Sequence, residues 1–186
     1  DTLPALPGLA ERWGRTVLHC PFCHGYEVAD RPLGVLATGP LAAHQAQLVA
    51  GWGPTTLFMQ GEVDPDAESA ASLARSGVTI EPVPILELIG EAPGISAVRL
   101  ADGRTQPISA LFIAPQTRPA GGLVEQLGCQ LEDGPTGPYI RTDERRATSV
   151  AGVFAAGDAV LPMHNATLAS ASGVIAGVGA FQSLIF

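Results

Sequence analysis

The run Leu33-Gly34-Val35-Leu36-Ala37-Thr38-Gly39-Pro40-Leu41-Ala42 decides the fold class. Leu33 to Thr38 is a compact apolar strand that Gly39 and Pro40 break. Pro40 suits the first turn of a helix, and Leu41, Gln45, Leu48 and Val49 recur at helical spacing up to Gly51. A strand that runs through a glycine turn into a helix N-terminus is where a dinucleotide pyrophosphate sits. The three-glycine fingerprint has become Ala37-x-Gly39-x-x-Ala42, its first glycine lost and its third the tolerated Ala. Gly39 and Ala42 are therefore candidate cofactor contacts, and a plain strand-to-helix turn is an equal reading.

Downstream, Thr55 to Met59 is a second strand. Asp64-Pro65-Asp66 opens a second helix, Pro65 to Arg75, which Gly77 ends. Val78 to Ile80 is a third strand, so residues 33–80 alternate as a parallel α/β unit. The rhythm then changes. Ile85–Ile89, Ile95–Leu100 and Gln106–Ile108 are short strands with turns at Ala92-Pro93-Gly94 and Ala101-Asp102-Gly103, an antiparallel meander. Ala110 to Ala114 is a further buried strand, Leu123 to Leu127 a short helix ended by Gly128, and Tyr139–Arg141 and Val153–Ala156 are strands. After the second strand, Met59 to Asp64 contains no Lys or Arg. Glu62 or Asp64 suits a ribose hydroxyl and repels a 2′-phosphate, so NADP is disfavoured.

Upstream, residues 1–12 read as a loop and Thr16 to His19 as a strand. That strand delivers Cys20-Pro21-Phe22-Cys23-His24-Gly25-Tyr26-Glu27. Two cysteines at this spacing can close a disulfide, contribute to a metal site or, with His24, match the pattern for covalent haem attachment. A structural zinc wants four ligands, and His19, Cys20, Cys23 and His24 converge poorly because they are neighbours in pairs. As a redox pair the cysteines need no further ligand. His24 could exchange the thiol proton and Glu27 could hold its imidazole.

The second specific stretch is Gly152 to Asp158. Gly157 permits close backbone approach and Asp158 can accept a hydrogen bond from a cofactor hydroxyl; a turn with Asp158 as helix cap is the plainer alternative. His164, just before the C-terminal helix, is a candidate cofactor or catalytic residue. Cys129 reads as a small apolar residue and His44 as an ordinary helix histidine. Residues 165–186 are apolar over about a bilayer's span, yet rich in Ala, Gly and Ser, which suits a tightly packed interior helix.

Composition agrees with a packed domain. The chain has 186 residues, 46% hydrophobic and 15% charged, with a net charge of −8 and every basic residue an Arg. An acidic chain without a basic block argues against nucleic acid or anionic membrane as partner. Three cysteines do not make a disulfide framework. No secretory signal is visible, and a chain that opens at Asp1 without Met is expected to be a piece of something longer or a processed form.

With those motifs in view, the chain resembles the low-molecular-weight thioredoxin reductase family of pyridine nucleotide-disulfide oxidoreductases. Gly152 to Asp158 and the order Cys-x-x-Cys, nucleotide turn, meander, Gly-Asp, small-residue helix carry the resemblance. It implies an α/β fold, a three-layer ββα FAD/NAD(P)-binding Rossmann-like domain with a parallel sheet and an antiparallel meander. Residues 1–15 would be a remnant of the FAD domain, 16–140 the inserted nucleotide-binding-like domain and 141–186 the end of the FAD domain. The family's N-terminal FAD fingerprint is absent, so the piece alone is expected to be inactive. The reductases place Asp after the second Cys; His24 here looks more like the branch of dithiol oxidases that act on small disulfide metabolites without NADPH. By that resemblance Cys23 lies against the flavin, Cys20 exchanges with substrate, Asp158 holds the ribityl chain, and Asn165 and Ala166 lie near the isoalloxazine edge. It further implies a cytoplasmic homodimer with FAD as cofactor, NAD(P)H doubtful, and a small dithiol, a small disulfide or a thioredoxin-like protein as partner. An NAD(P)H-dependent disulfide reductase and a non-catalytic nucleotide-binding-like module are the other readings.

Overall fold

The computed structural model describes residues 1–62 and 65–186. Asp64, expected to open a helix and to suit a ribose, lies outside the described residues. The chain divides into two compact units, one of residues Thr2–Pro115 and one of Gln116–Phe186 with Asp1.

The first unit is built on β1 (Val17–Leu18), α1 (Pro21–His24), β2 (Leu33–Leu36), α2 (Ala42–Ala50), β3 (Thr55–Phe58), α3 (Ala67–Arg75), β4 (Thr79–Glu81), β5 (Ile85–Ile89), β6 (Ala97–Leu100), β7 (Thr105–Pro107) and β8 (Ala110–Ile113). A five-stranded sheet runs β1-β8-β2-β3-β4, and every pairing in it is parallel. β5, β6 and β7 form the expected antiparallel meander.

Successive side chains of a strand point to opposite faces, and here both faces are covered, as a parallel sheet requires. Val35, Leu57 and Phe112 pack with Ala42, Ala46 and Val49 of α2 and Leu73 of α3. Their neighbours Leu36, Phe58, Leu111 and Ile113 pack instead with Ile85, Leu88, Val98 and Leu100 of the meander. The order meander, parallel sheet, helices is the three-layer α/β arrangement expected from the sequence. Gly34 sits mid-strand because a Cβ there would come within 2.9 Å of both Leu111 Cδ1 and Phe58 Cε2.

The 1–12 loop is fastened rather than loose. Arg12 is buried; its Nη1 donates to the Gly8 carbonyl at 2.7 Å and its Nε to the Gly94 carbonyl at 2.8 Å, while Nη2 reaches the Gly90 carbonyl. A buried guanidinium needs such partners, and these join the loop to the β5–β6 turn.

The second unit contains α4 (Leu123–Leu127), β9 (Leu131–Gly134), β10 (Gly137–Ile140) and α5 (Ala166–Gln182). Its core is small: Val124, Ile140 and Val160, with Cys129 packed against them. Three expectations are corrected here. β9 was not read from the sequence, because Leu131-Glu132-Asp133-Gly134 has no apolar alternation; it forms by pairing antiparallel with β10. Val153–Ala156 is not a strand: Phe154 makes one isolated bridge to Ala147. And α5 is not an interior helix of this unit. Only Ser172, Ala176 and Gly179 are buried along it, while Val174, Val178 and Phe181 stand exposed. Among the described residues no helix is long and apolar enough to cross a membrane.

Candidate active site

β1 ends just ahead of the cysteines, and Cys20 is the N-cap of α1, with Pro21 at its first position. Pro is tolerated there because the first-turn N–H has no partner to lose. The Cys20 carbonyl accepts from the N–H groups of Cys23 and His24, each at 3.2 Å. This single turn brings the two sulfurs together: Cys23 Sγ donates toward Cys20 Sγ at 2.7 Å. Both are free thiols, Cys20 half-buried and Cys23 exposed. That hydrogen bond holds the Cys23 pKa above the ordinary thiol value; partial desolvation and the charge on Cys20 push the same way.

His24 Nδ1 lies 3.2 Å from Glu27 Oε2, the arrangement expected three residues apart. An Nδ1–H given to the carboxylate leaves Nε2 as the nitrogen for proton exchange. Phe22 and Tyr26 are exposed on either side of Cys23 in the sequence. Gly25 has a reason the sequence did not disclose: a Cβ there would run into the Trp52 indole. The turn therefore packs closely on Trp52, two residues beyond α2.

The glycine turn after β2 has the predicted form. Gly39 has φ of 150° with nothing within 4 Å of where a Cβ would stand, and Ala42 is the first residue of α2, buried against the sheet. Thr38 Oγ1 donates to the Ala114 carbonyl at 2.9 Å. After β3, Gln60 is committed to structure: its Oε1 accepts from the Ile85 N–H at 2.8 Å and its Nε2 donates to the Ile85 carbonyl at 2.9 Å. Glu62 is exposed.

In the second unit Gly157 has φ of 77°, a conformation glycine adopts freely, and it opens a 3₁₀ turn through Asp158 to Val160. Asp158 and His164 are brought together in a hollow of about 280 Å³, lined also by Thr117, Arg118, Pro138 and Ala159. Arg118 was missed in the sequence because nothing around it is patterned. Asp158 is not a helix cap; that role falls to Asn165, whose Oδ1 accepts from the N–H groups of Thr167 and Leu168 at 3.0 and 3.2 Å. Ala166 begins α5, exposed. Cys129 is half-buried, its sulfur 3.7 Å from Thr148 Oγ1, and His44 lies exposed on α2. No group of three or more potential metal ligands clusters among the described residues.

The site thus consists of a dithiol turn followed by a His24–Glu27 pair, on a parallel sheet of a three-layer α/β unit. Over its whole length the chain is similar to proteins named thioredoxin reductase. It is 35% identical to thioredoxin reductase sirT of Leptosphaeria maculans, over 99% of this chain and 60% of that protein. It is 33% identical to thioredoxin reductase tcpT of Claviceps purpurea, over 100% and 60%. The crystal structure of an oxidoreductase from Agrobacterium tumefaciens superposes with a TM-score of 0.92 at 44% identity, covering 100% of this chain and 62% of the other. The chain thus spans about three-fifths of the length of these relatives. No family model matches it.

Two features bear on a flavin. The hollow at Asp158 is large enough for a ribityl chain or one edge of a ring system and too small for a whole dinucleotide. Gly157 adds room: its Cβ position has no neighbour nearer than Ala169 Cβ at 4.0 Å. These residues fit part of an FAD.

Proposed function

We propose that this chain carries the redox dithiol of a flavin-dependent thiol–disulfide oxidoreductase that oxidises small dithiols without a nicotinamide. The observation that carries the reading is the pair of sulfurs 2.7 Å apart, followed in the chain by a His24 imidazole held by Glu27. In the oxidised enzyme a substrate thiolate attacks Cys20 Sγ of the Cys20–Cys23 disulfide, and Cys23 leaves as thiolate. The second substrate thiolate attacks the sulfur already bound to Cys20, which frees Cys20 and releases the substrate as its disulfide. Two electrons now rest on the pair. His24 takes the proton from an attacking thiol and returns one to a leaving sulfur, with Glu27 fixing its tautomer. The pair would give its two electrons to a bound FAD, whose chemistry would be two-electron acceptance and transfer to dioxygen as hydrogen peroxide. Asp158 and Gly157 would hold the ribityl chain; Asn165, Ala166 and His164 would border the ring.

Two observations support oxygen over a nicotinamide: the fingerprint at Ala37, and the absence of any Lys or Arg from Met59 to Asp64. The rival, an NAD(P)H-dependent disulfide reductase acting on a thioredoxin-like protein, draws support from the names of the fungal relatives and from the open Gly39 turn, to which Gly39 and Ala42 would contribute. In either case we read residues 16 onward as the nucleotide-binding-like domain and the C-terminal segment as part of the FAD domain. The resemblance places that boundary after residue 140. A cytoplasmic homodimer belongs to the same proposal.

Anaerobic mixing of the full-length flavoprotein with NADPH or NADH separates the readings. The flavin absorbance should persist with either nucleotide, and a small dithiol should bleach it, with peroxide formed when air is admitted. Rapid bleaching by NADPH overturns the oxidase reading and establishes the reductase.

A further inference from the structure

Gln45 is buried, 7% exposed, on the inward face of α2. Its Nε2 donates to the His19 carbonyl at 2.8 Å, while its Oε1, also buried, has no hydrogen-bond partner. A polar side chain in that state is a poor way to fill a core. A buried amide oxygen without a partner forfeits its hydration without replacement, and Ala42, Ala46 and Val49 on the same face show what the sheet otherwise accepts. The bond it makes is the informative part. The His19 carbonyl belongs to the peptide that carries the Cys20 nitrogen. On the other side, the Cys20 carbonyl is held by the N–H groups of Cys23 and His24. Both peptides flanking Cys20 are therefore fixed, one by α1 and one by Gln45. Together they determine where the Cys20 Cα–Cβ bond points.

We propose that Gln45 is a positioning residue for the dithiol, holding the His19–Cys20 peptide so that Cys20 Sγ stays apposed to Cys23 Sγ. Disulfide closure demands a narrow range of Cβ separation and dihedral angle, and a sulfur whose backbone can rotate away spends less time within it. Gln45 acts through the backbone of Cys20 and touches neither sulfur. The inference rests on the reading of Cys20 and Cys23 as a reversible redox pair, and the experiment keeps the two apart.

The test is equilibration of the 186-residue chain with glutathione redox buffers, with the Cys20–Cys23 dithiol and disulfide forms quantified by mass after acid quench and thiol labelling. The variants are Gln45→Met, which conserves volume and removes donor and orphan acceptor together, and Gln45→Asn, which keeps an amide but withdraws it by one methylene. Gln47→Met is the control on the same helix, since Gln47 Nε2 donates to Ser72 Oγ of α3 at 2.6 Å and not to the Cys20 segment. Both Gln45 variants should lower the equilibrium constant for disulfide formation by roughly threefold to tenfold, as the effective concentration of one thiol at the other falls. Gln47→Met should leave it at the wild-type value. If Gln45→Met does not fold, as judged by thermal unfolding, Gln45→Asn decides alone. A wild-type chain that forms no reversible Cys20–Cys23 disulfide defeats the underlying redox reading. A reversible wild-type pair with an unchanged constant in the Gln45 variants overturns the positioning role alone. An equal shift in Gln47→Met also overturns it, by showing that any loosening of α2 suffices.

Discussion

Cys23 is the more exposed residue of the pair and the one whose thiol pKa is raised. Its thiol donates to Cys20, and this bond is the first cause of its raised pKa. Exposure and reactivity are thereby separated, since the thiolate and not the thiol attacks. The expected outcome is that iodoacetamide labels Cys20 first at neutral pH, roughly threefold or more faster than Cys23, despite the better access to Cys23. The gap should narrow as the pH rises through the range where Cys23 ionises. Peptide mapping after short labelling checks this; a Cys23-first pattern at neutral pH would mean that access governs. A Cys20-first pattern would support the exchanging role that the resemblance implies for Cys20. Other residues were less legible. Gly25 looked like part of a motif, and its physical reason, the Trp52 ring beneath it, lies far off in sequence. Gln45 was visible as one more position at helical spacing, and nothing local distinguished a polar residue that faces inward to hold a carbonyl from one that faces solvent.

At the scale of elements, the parallel sheet and the meander are joined by charge as well as by apolar packing. Glu81 ends β4, and its carboxylate accepts from Arg104 Nη1 and Nη2 at 2.8 and 3.0 Å. Arg104 stands at the β6–β7 turn, where its Nε also donates to Asp102. The Arg104 bonds hold the Glu81 carboxyl below its ordinary pKa, with a further contribution from the Val83 N–H, against the opposing effect of burial. A depressed carboxyl contributes its stability above the unfolded value, about 4.3, and loses it as pH falls through the lower folded value. Glu81→Gln should therefore cost about 1 kcal/mol at neutral pH, the half-exposed Arg104 limiting the effect through solvent screening. Below pH about 4 the variant and the wild type should converge. Urea midpoints across that range measure it, and a gap that persists in acid would assign the loss to packing. This pairing could not be foreseen, because Glu81 and Arg104 come from different strand runs. What could be foreseen were elements with strong periodicity or clear punctuation. β2, α2, β3, α4 and the meander follow from apolar spacing and from Gly39, Gly77 and Gly128. β9 did not, for want of any apolar face, and Val153–Ala156 was misjudged because an apolar run forms a strand only where a neighbour offers its edge.

Across the whole molecule, apolar burial is distributed unevenly, and this governs how the chain opens. The Thr2–Pro115 unit holds two extended clusters, one on each face of the sheet, with Leu36, Phe58, Phe112 and Ile113 almost wholly buried. The other unit rests on Val124, Ile140 and Val160, and its long α5 leaves Val174, Val178 and Phe181 exposed. The apolar composition of residues 165–186 suggested an interior helix. Composition reports what a helix is able to bury, whereas burial also needs a surface in contact with it. Local opening is easiest where buried apolar contacts are few. Amide hydrogen exchange of the 186-residue chain, followed by mass spectrometry, should then divide along the chain. Peptides covering β2, β3 and β8 should exchange slowest, by roughly a hundredfold or more relative to those covering α5. The helix keeps its hydrogen bonds and its Asn165 cap, but a capped helix whose covered face is only Ser172, Ala176 and Gly179 gains little from packing and opens on its own. Protection of α5 equal to that of β2 would contradict this, since it would require the exposed apolar row to be covered in solution. Fast exchange in β2 would contradict it from the other side, by showing that the two clusters do not form one cooperative core around the sheet.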